Sequence, residues 1–318
     1  MRTIRSEVLG FCGGVSRAVQ SANDALDAAC SSLRKPKIFS LGPLIHNQIA
    51  LDKLKARGLE ILSEDKIDSL DEDCVVIVRA HGVSPFVMER IAARGAQIVD
   101  ATCPRVALSQ RRAQEFSAMG MFVILAGDAG HAEVKAVEGS ALAKIEGKPK
   151  TARGGLSEPD CKPGIGAAQN GRFVLVQNAD EAAALEVLPQ MRDNAVLLSQ
   201  TTFSPDEFKK ISEILSSKIP GLKIFNTICP ATSERKKALE NLAKKADALV
   251  VVGGKKSANS LRLFELAQSL CASSFFAESA DDLPADFGGA QVVGITAGAS
   301  APDFVIDEVE RKIQEMLV

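Results

Sequence analysis

Three times along the chain a short, β-branched run ends at a cysteine and passes straight into an amphipathic stretch. The runs "TIRSEVLGF", "AQIVDAT" and "LKIFNTI" deliver Cys12, Cys103 and Cys229. Strand-like runs alternating with helix-like ones are the pattern of an α/β protein with parallel sheets, and this alternation limits the possible folds more than any other feature. After Cys12, Val15, Val19, Ala22, Leu26, Ala29 and Leu33 keep helical spacing, as do Ala238, Leu239, Leu242, Ala243 and Ala246 after Cys229.

The order within each stretch repeats. A second strand and a polar loop follow in "KIFSLGPLIHN", "MFVILAGDAGHAEV" and "ALVVVGGKKSANS", placing His46, His131 and Ser257 34, 28 and 28 residues after their cysteines. A third strand with an acidic tail comes next, in "LEILSEDKIDSL", "RFVLVQNADEAAAL" and "SSFFAESADDLP", and a fourth closes each copy, in "CVVIVRAHGVSP", "AVLLSQTTFSP" and "VVGITAGASAP". The Ser-Pro ending the first two of these closing runs predicts a helix N-cap followed by proline at the first helical position. Three units are therefore expected, at residues 1–102, 103–225 and 226–318, with a surface insertion rich in Gly, Pro and Lys at 146–171.

Ligands of open parallel sheets sit beyond the carboxyl ends of the strands. By that rule the first unit offers Cys12, His46 and His81. The second offers Cys103, His131 with Glu133, and Thr201 with Thr202; the third offers Cys229, Ser257, Asn259 and Ser300. All three histidines of the chain are in this set. A thiol at a helix N-terminus faces unpaired N–H groups and the positive end of the helix dipole, which favour thiolate.

Three converging thiolates call for a cation. Structural zinc sites use four protein ligands and close CxxC pairs, and no such pair occurs here; the cysteines are 91 and 126 residues apart. An iron-sulfur cubane on three cysteines would leave one iron open to act as a Lewis acid. The surrounding histidines, hydroxyls and amide form a cradle of donors suited to a phosphate or diphosphate. Glu133 is the acid beside that cradle and the candidate proton source.

Blander readings apply elsewhere. Cys30, Cys74, Cys161 and Cys271 are expected to be small buried hydrophobes, and "SERKKALENLAKKAD" to be the solvated face of a helix. "GFCGGV" lacks the full dinucleotide glycine pattern, and "GGKKS" has Lys256 where a phosphate loop needs Ser or Thr. A net charge of −2 and the absence of Trp and Tyr argue against nucleic acid as a partner. No run approaches a membrane span, and the first residues read as a strand and not as a signal segment, so the expected location is cytoplasmic. An odd cysteine count of seven agrees with a reducing compartment.

The ordered series "GFCGGV", "IHN", "RAHGVS", "DATCP", "GHAEV", "SQTT", "CPAT", "SANS" and "TAGASAPD" resembles the 4-hydroxy-3-methylbut-2-enyl diphosphate reductase family over nearly the whole chain. The resemblance implies a trefoil of three pseudo-equivalent α/β domains around a central [4Fe-4S] cluster bound by Cys12, Cys103 and Cys229. It implies that the substrate hydroxyl meets the open iron while His46, His81, His131, Ser257, Asn259 and Ser300 hold the diphosphate. Thr201 and Glu133 would lie near the hydroxymethyl group, with Glu133 supplying protons. The implied reaction is a two-electron reductive dehydroxylation to isopentenyl and dimethylallyl diphosphate by a monomer, with ferredoxin or flavodoxin as electron donor. Ala258, Ala132 and Lys236 depart from the family pattern, where a hydroxyl residue, Pro and Gln are usual. The competing readings are a metal-dependent isomerase or lyase acting on a phosphorylated metabolite, and a non-catalytic sensor of a cluster or phosphometabolite.

Overall fold

The alternating pattern produces strands and helices in the expected order. The computed structural model describes residues 2–143 and 172–316, so the expected insertion at 146–171 and Cys161 lie outside the described residues. The first run comprises β1 (Arg2–Arg5), α1 (Gly13–Ser31), β2 (Lys37–Leu41), α2 (Gln48–Ala56), β3 (Leu59–Leu62), β4 (Cys74–Val78), α3 (Pro85–Ala92) and β5 (Gln97–Asp100). The second comprises α4 (Pro104–Ala118), β6 (Phe122–Ala126), α5 (Ala132–Leu142), β7 (Phe173–Val176), α6 (Ala179–Ala184), β8 (Ala195–Ser199), α7 (Pro205–Lys218) and β9 (Lys223–Ile224). The third comprises α8 (Pro230–Ala243), β10 (Ala248–Val252), α9 (Ala258–Leu270), β11 (Ser274–Ala277), β12 (Val292–Ala297) and α10 (Asp303–Glu315).

The strands form three four-stranded sheets, ordered β3-β2-β4-β5, β7-β6-β8-β9 and β11-β10-β12-β1, and every pairing is parallel. The order is the same in all three: third strand, second, fourth, then a strand that leads to a cysteine. One placement differs from the linear reading. β1 stands at the head of the chain, but it pairs with β12 and completes the last sheet, with Arg2 opposite Val292 and Arg5 opposite Ile295.

β4, β6, β8 and β10 are buried along their full length. This is why they read as unbroken apolar runs: helices cover both faces of such parallel sheets. The expected Ser-Pro caps form. Ser84 Oγ accepts from Val87 N (3.3 Å) ahead of α3, and Ser204 Oγ accepts from Glu207 N (3.4 Å) at the start of α7.

The chain divides into two compact units, one of Met1–Ala80, Ile91–Cys103 and Cys229–Val318, the other of His81–Arg90 and Pro104–Ile228. In the first, α1 buries Ala18, Ala22 and Leu26 against Ile38, Ile77 and Leu44. Leu33, expected on that stripe, lies past the cap at Ser32 and is fully exposed. α8 buries Ala238, Leu239 and Leu242 as its spacing predicts, and each leucine contributes about 1.5–3 kcal/mol by leaving water. In the second unit, α5 and α7 cover the sheet through Val134, Val137, Phe208, Ile211 and Leu215.

Candidate functional site

Every candidate side chain lies where a strand or its parallel ladder gives out at the carboxyl end. In the first unit, Cys12 N donates to Ala299 O (3.1 Å), and Cys103 N donates to Ala80 O (3.0 Å). These bonds carry strand pairing to the cysteine and fix its main chain. In the second unit the same approach is made by Thr227, whose N donates to Ser199 Oγ (3.2 Å), two residues before Cys229. Cys12 and Cys229 are the N-cap residues of α1 and α8, and Cys103 immediately precedes α4. Neither capping cysteine makes a side-chain cap bond, so neither sulfur is occupied in closing its helix.

The three thiols belong to one unit, and two observations relate them. A Cβ added at Gly14 would stand 2.6 Å from Cys103 Sγ, so the Cys103 thiol packs against the first turn of α1, next to Cys12. Arg235 on α8 is 3% exposed, and its charge interacts favourably with Cys12 and Cys229. Burial pushes the guanidinium pKa down, and those two thiols, then Glu234, push it up. A glycine cradle, thiols free of cap bonds and a buried cation form a soft donor set whose negative charge the cation offsets. It fits an iron-sulfur cluster.

The other cysteines follow the bland reading unevenly. Cys74 is buried and donates its S–H to Asp71 Oδ1 (3.0 Å); burial first, then that bond, raises its pKa. Cys271 is half-buried. Cys30 is exposed, a correction to its expected burial, because it lies at the edge of the α1 stripe in the last turn before the cap at Ser32, beyond the core that Leu26 reaches.

The same unit carries four of the polar candidates. His46 precedes Asn47, the N-cap of α2, whose Oδ1 accepts from Ala50 N (2.9 Å). The turn at Gly254 presses against the His46 carbonyl so closely that no side chain would fit there. Ser300 Oγ donates to that same carbonyl (3.3 Å), which brings the loop after β12 to His46. Burial, then the neighbouring Arg79 charge, lowers the His46 pKa and keeps the ring neutral at physiological pH. Ser257 caps α9 by accepting from Ser260 N (3.3 Å), which leaves its O–H to donate. Asn259 Nδ2 is buried without a hydrogen-bond partner among the described residues.

In the second unit, His131 caps α5, its Nδ1 accepting from Glu133 N (3.2 Å). A neutral ring so arranged carries its proton on Nε2, a donor. His81 meets His131 edge-on, with ring centroids 5.3 Å apart. Glu133 is 1% exposed. Its Oε1 accepts from Thr201 N (2.7 Å) and its Oε2 from Thr201 Oγ1 (2.7 Å). Burial pushes the Glu133 pKa up to about 7 against the opposing pull of the two Thr201 bonds, with Asp128 adding to the rise. Such a carboxyl exchanges protons at neutral pH.

Sequence reasoning passed over two residues here. Gln200, fully buried, accepts from Asp128 N (2.8 Å) and donates to Thr202 Oγ1 (2.8 Å), tying the loop before α5 to the one after β8. Arg235, on a run expected to be a solvated face, is buried. Its signal was present in the spacing: positions 235, 238, 239 and 242 form one stripe, with a charge inside it.

A family model described as "LytB protein" matches residues 3–314. The chain belongs to the LytB family. Among LytB relatives, a protein of Treponema denticola named 4-hydroxy-3-methylbut-2-enyl diphosphate reductase is 39% identical over 98% of both chains. One of the same name from Thermoanaerobacter is 32% identical over 99% of this chain and 97% of its own. A solved structure of (E)-4-hydroxy-3-methyl-but-2-enyl diphosphate reductase, described as the terminal enzyme of the non-mevalonate pathway, matches with a TM-score of 0.69 and 30% identity, over 99% of this chain and 100% of that one. The corresponding reductase structure from Plasmodium falciparum, 24% identical with a TM-score of 0.78 over 96% of this chain and 86% of its own, shares the fold. The LytB match runs through all three sheets, and no helix among the described residues is long and apolar enough to cross a membrane.

Proposed function

We propose that this LytB-family chain is an oxidoreductase that reduces (E)-4-hydroxy-3-methylbut-2-enyl diphosphate to isopentenyl and dimethylallyl diphosphate. The overall change replaces a C–OH by C–H: two electrons and two protons enter, and the hydroxyl leaves as water. Cys12, Cys103 and Cys229 would hold a [4Fe-4S] cluster. When bound, that cluster supplies electrons and, because only three thiolates hold it, a Lewis-acidic iron with an open position.

The protein's own side chains supply the rest. His46, His81 and His131 donate N–H groups, and Ser257, Asn259 and Ser300 donate O–H and amide N–H groups, to the diphosphate oxygens, Ser300 by exchanging its bond to the His46 carbonyl for one to the ligand. The unpartnered Asn259 Nδ2 supports this assignment most directly, because a buried amide left unpaired costs about 1–3 kcal/mol unless a ligand satisfies it. Glu133 holds and releases the proton. Thr201 orients both of its oxygens, and Thr202, fixed by Gln200, shapes the adjoining wall. The observation that carries the proton assignment is the burial of Glu133 with a pKa of about 7.

Ferredoxin or flavodoxin as electron donor, action as a monomer, a cytoplasmic location and the repeat boundaries 1–102, 103–225 and 226–318 belong to the same reading. The test is anaerobic turnover of the allylic diphosphate by reconstituted protein with a reduced viologen dye. The two isomeric five-carbon diphosphates should form only with reductant present. Conversion without reductant would favour the isomerase or lyase, and substrate binding without conversion would favour the sensor.

A further inference from the structure

Arg235 lies six residues after Cys229 on a helix otherwise rich in exposed charge, yet it is 3% exposed. Its hydrogen bonds go to main-chain carbonyls: Nη1 donates to Ala297 O (2.8 Å) and Nη2 to Gly10 O (2.6 Å). Nε is buried without a hydrogen-bond partner among the described residues. Gly10 is two residues before Cys12, and Ala297 ends β12, two residues before the Ala299 carbonyl that accepts from Cys12 N. One guanidinium therefore braces α8, the Cys12 loop and the loop leading to Ser300.

Burying a cation against neutral carbonyls is costly, and the cost is offset when an anion shares the site. As thiolates, Cys12 and Cys229 would be the charges that favour the buried Arg235 most, ahead of Glu234. A metal group held by three thiolates becomes more negative on accepting an electron. A fixed neighbouring cation favours that reduced state, and a free N–H suits a sulfur acceptor.

We infer that Arg235 is a positioning residue for the group held by Cys12, Cys103 and Cys229: it braces the Cys12 and Cys229 loops and raises the reduction potential of that group. The inference rests on the cluster assignment proposed above. The test uses the full chain, anaerobically reconstituted, as wild type, Arg235→Lys and Arg235→Met. The potential is read by dye-mediated titration with electron paramagnetic resonance, and iron loss to a chelator is timed.

Arg235→Met should be harder to reduce by about tenfold in equilibrium constant, a downward shift of about 59 mV for one electron. Arg235→Lys keeps the charge but cannot span both carbonyls, so its potential should stay closer to wild type while iron is lost about tenfold faster. A wild-type potential in folded Arg235→Met overturns the electrostatic role. If Arg235→Met fails to fold by circular dichroism, Arg235→Lys decides, and a wild-type rate of iron loss there overturns the bracing role. Wild type that takes up no iron refutes the cluster assignment itself, and that result is read before any variant is made.

Discussion

The two compact units carry different chemistry on the same sheet plan. The unit built on β3-β2-β4-β5 and β11-β10-β12-β1 holds all three helix-end thiols, a buried guanidinium and donors at His46, Ser257, Asn259 and Ser300. The unit built on β7-β6-β8-β9 holds no candidate metal thiol among its described residues; it has Glu133, clamped by Thr201 and titrating about 7. The same device, a polar residue at the N-terminus of a helix after the second strand, is a hydroxyl at Ser257 and an imidazole paired with an acid at His131 and Glu133. On the proposed reading, electron handling falls to the first framework and proton handling to the second. A substitution in one should leave the observables of the other intact.

The largest expected effect is on the thiol side. Cys103→Ser should lose most of its iron and nearly all turnover, while circular dichroism and the midpoint of unfolding of the iron-free protein stay close to wild type. Unchanged iron per chain would remove Cys103 from the ligand set. Glu133→Gln should break only the other half. Iron content and the electron paramagnetic resonance of the reduced protein should remain, while turnover falls by about 10²–10⁴-fold, the usual worth of a positioned acid or base. Loss of iron in that variant would show that the two units are not separable.

A third difference concerns stability. The folded pKa of Glu133 is raised from 4.5 to about 7, so the native state binds the proton more tightly than the unfolded chain. Its contribution is therefore fully present below about pH 4.5 and is lost as pH rises through about 7, on the order of 3 kcal/mol across that window. Comparing urea midpoints of wild type and Glu133→Gln at pH 5 and pH 8 isolates this group. The variant should gain relative to wild type at the higher pH, and equal slopes against pH would contradict the buried-acid assignment.

The smallest effect tests a departure from the family pattern. Ala132 is the first residue of α5, and His131 before it is extended (φ −64°, ψ 140°), a conformation compatible with a following proline. Ala132→Pro should stabilise the chain by about 0.5 kcal/mol without altering iron content. A loss of stability would mean that the main chain at the Glu133 helix is set differently.

Much of this was legible because both signals involved are local. The strand ladders follow from apolar runs such as "CVVIV" and "AVLLS", and the helix-end cysteines follow from where those runs stop. The pairing of β1 with β12 was not legible because parallel pairing joins residues far apart in sequence, and nothing local marks Arg2 as the partner of Val292. Leu33 kept the period of α1 but lay past its end, where periodicity carries no information. Arg235 and Gln200 were missed for a related reason. Spacing marks position 235 as part of a buried stripe, but the partners that define both side chains, the Gly10 and Ala297 carbonyls and the Asp128 amide, are tertiary and not legible from it.

The central claim is that three thiols from one unit hold one iron-sulfur cluster. Its most direct test is the iron and acid-labile sulfide bound per chain after anaerobic reconstitution, with zinc measured in the same sample. The account predicts about four iron and four sulfide per chain, as a [4Fe-4S] cluster requires. Stoichiometric zinc with no sulfide, or no bound metal at all, would contradict it.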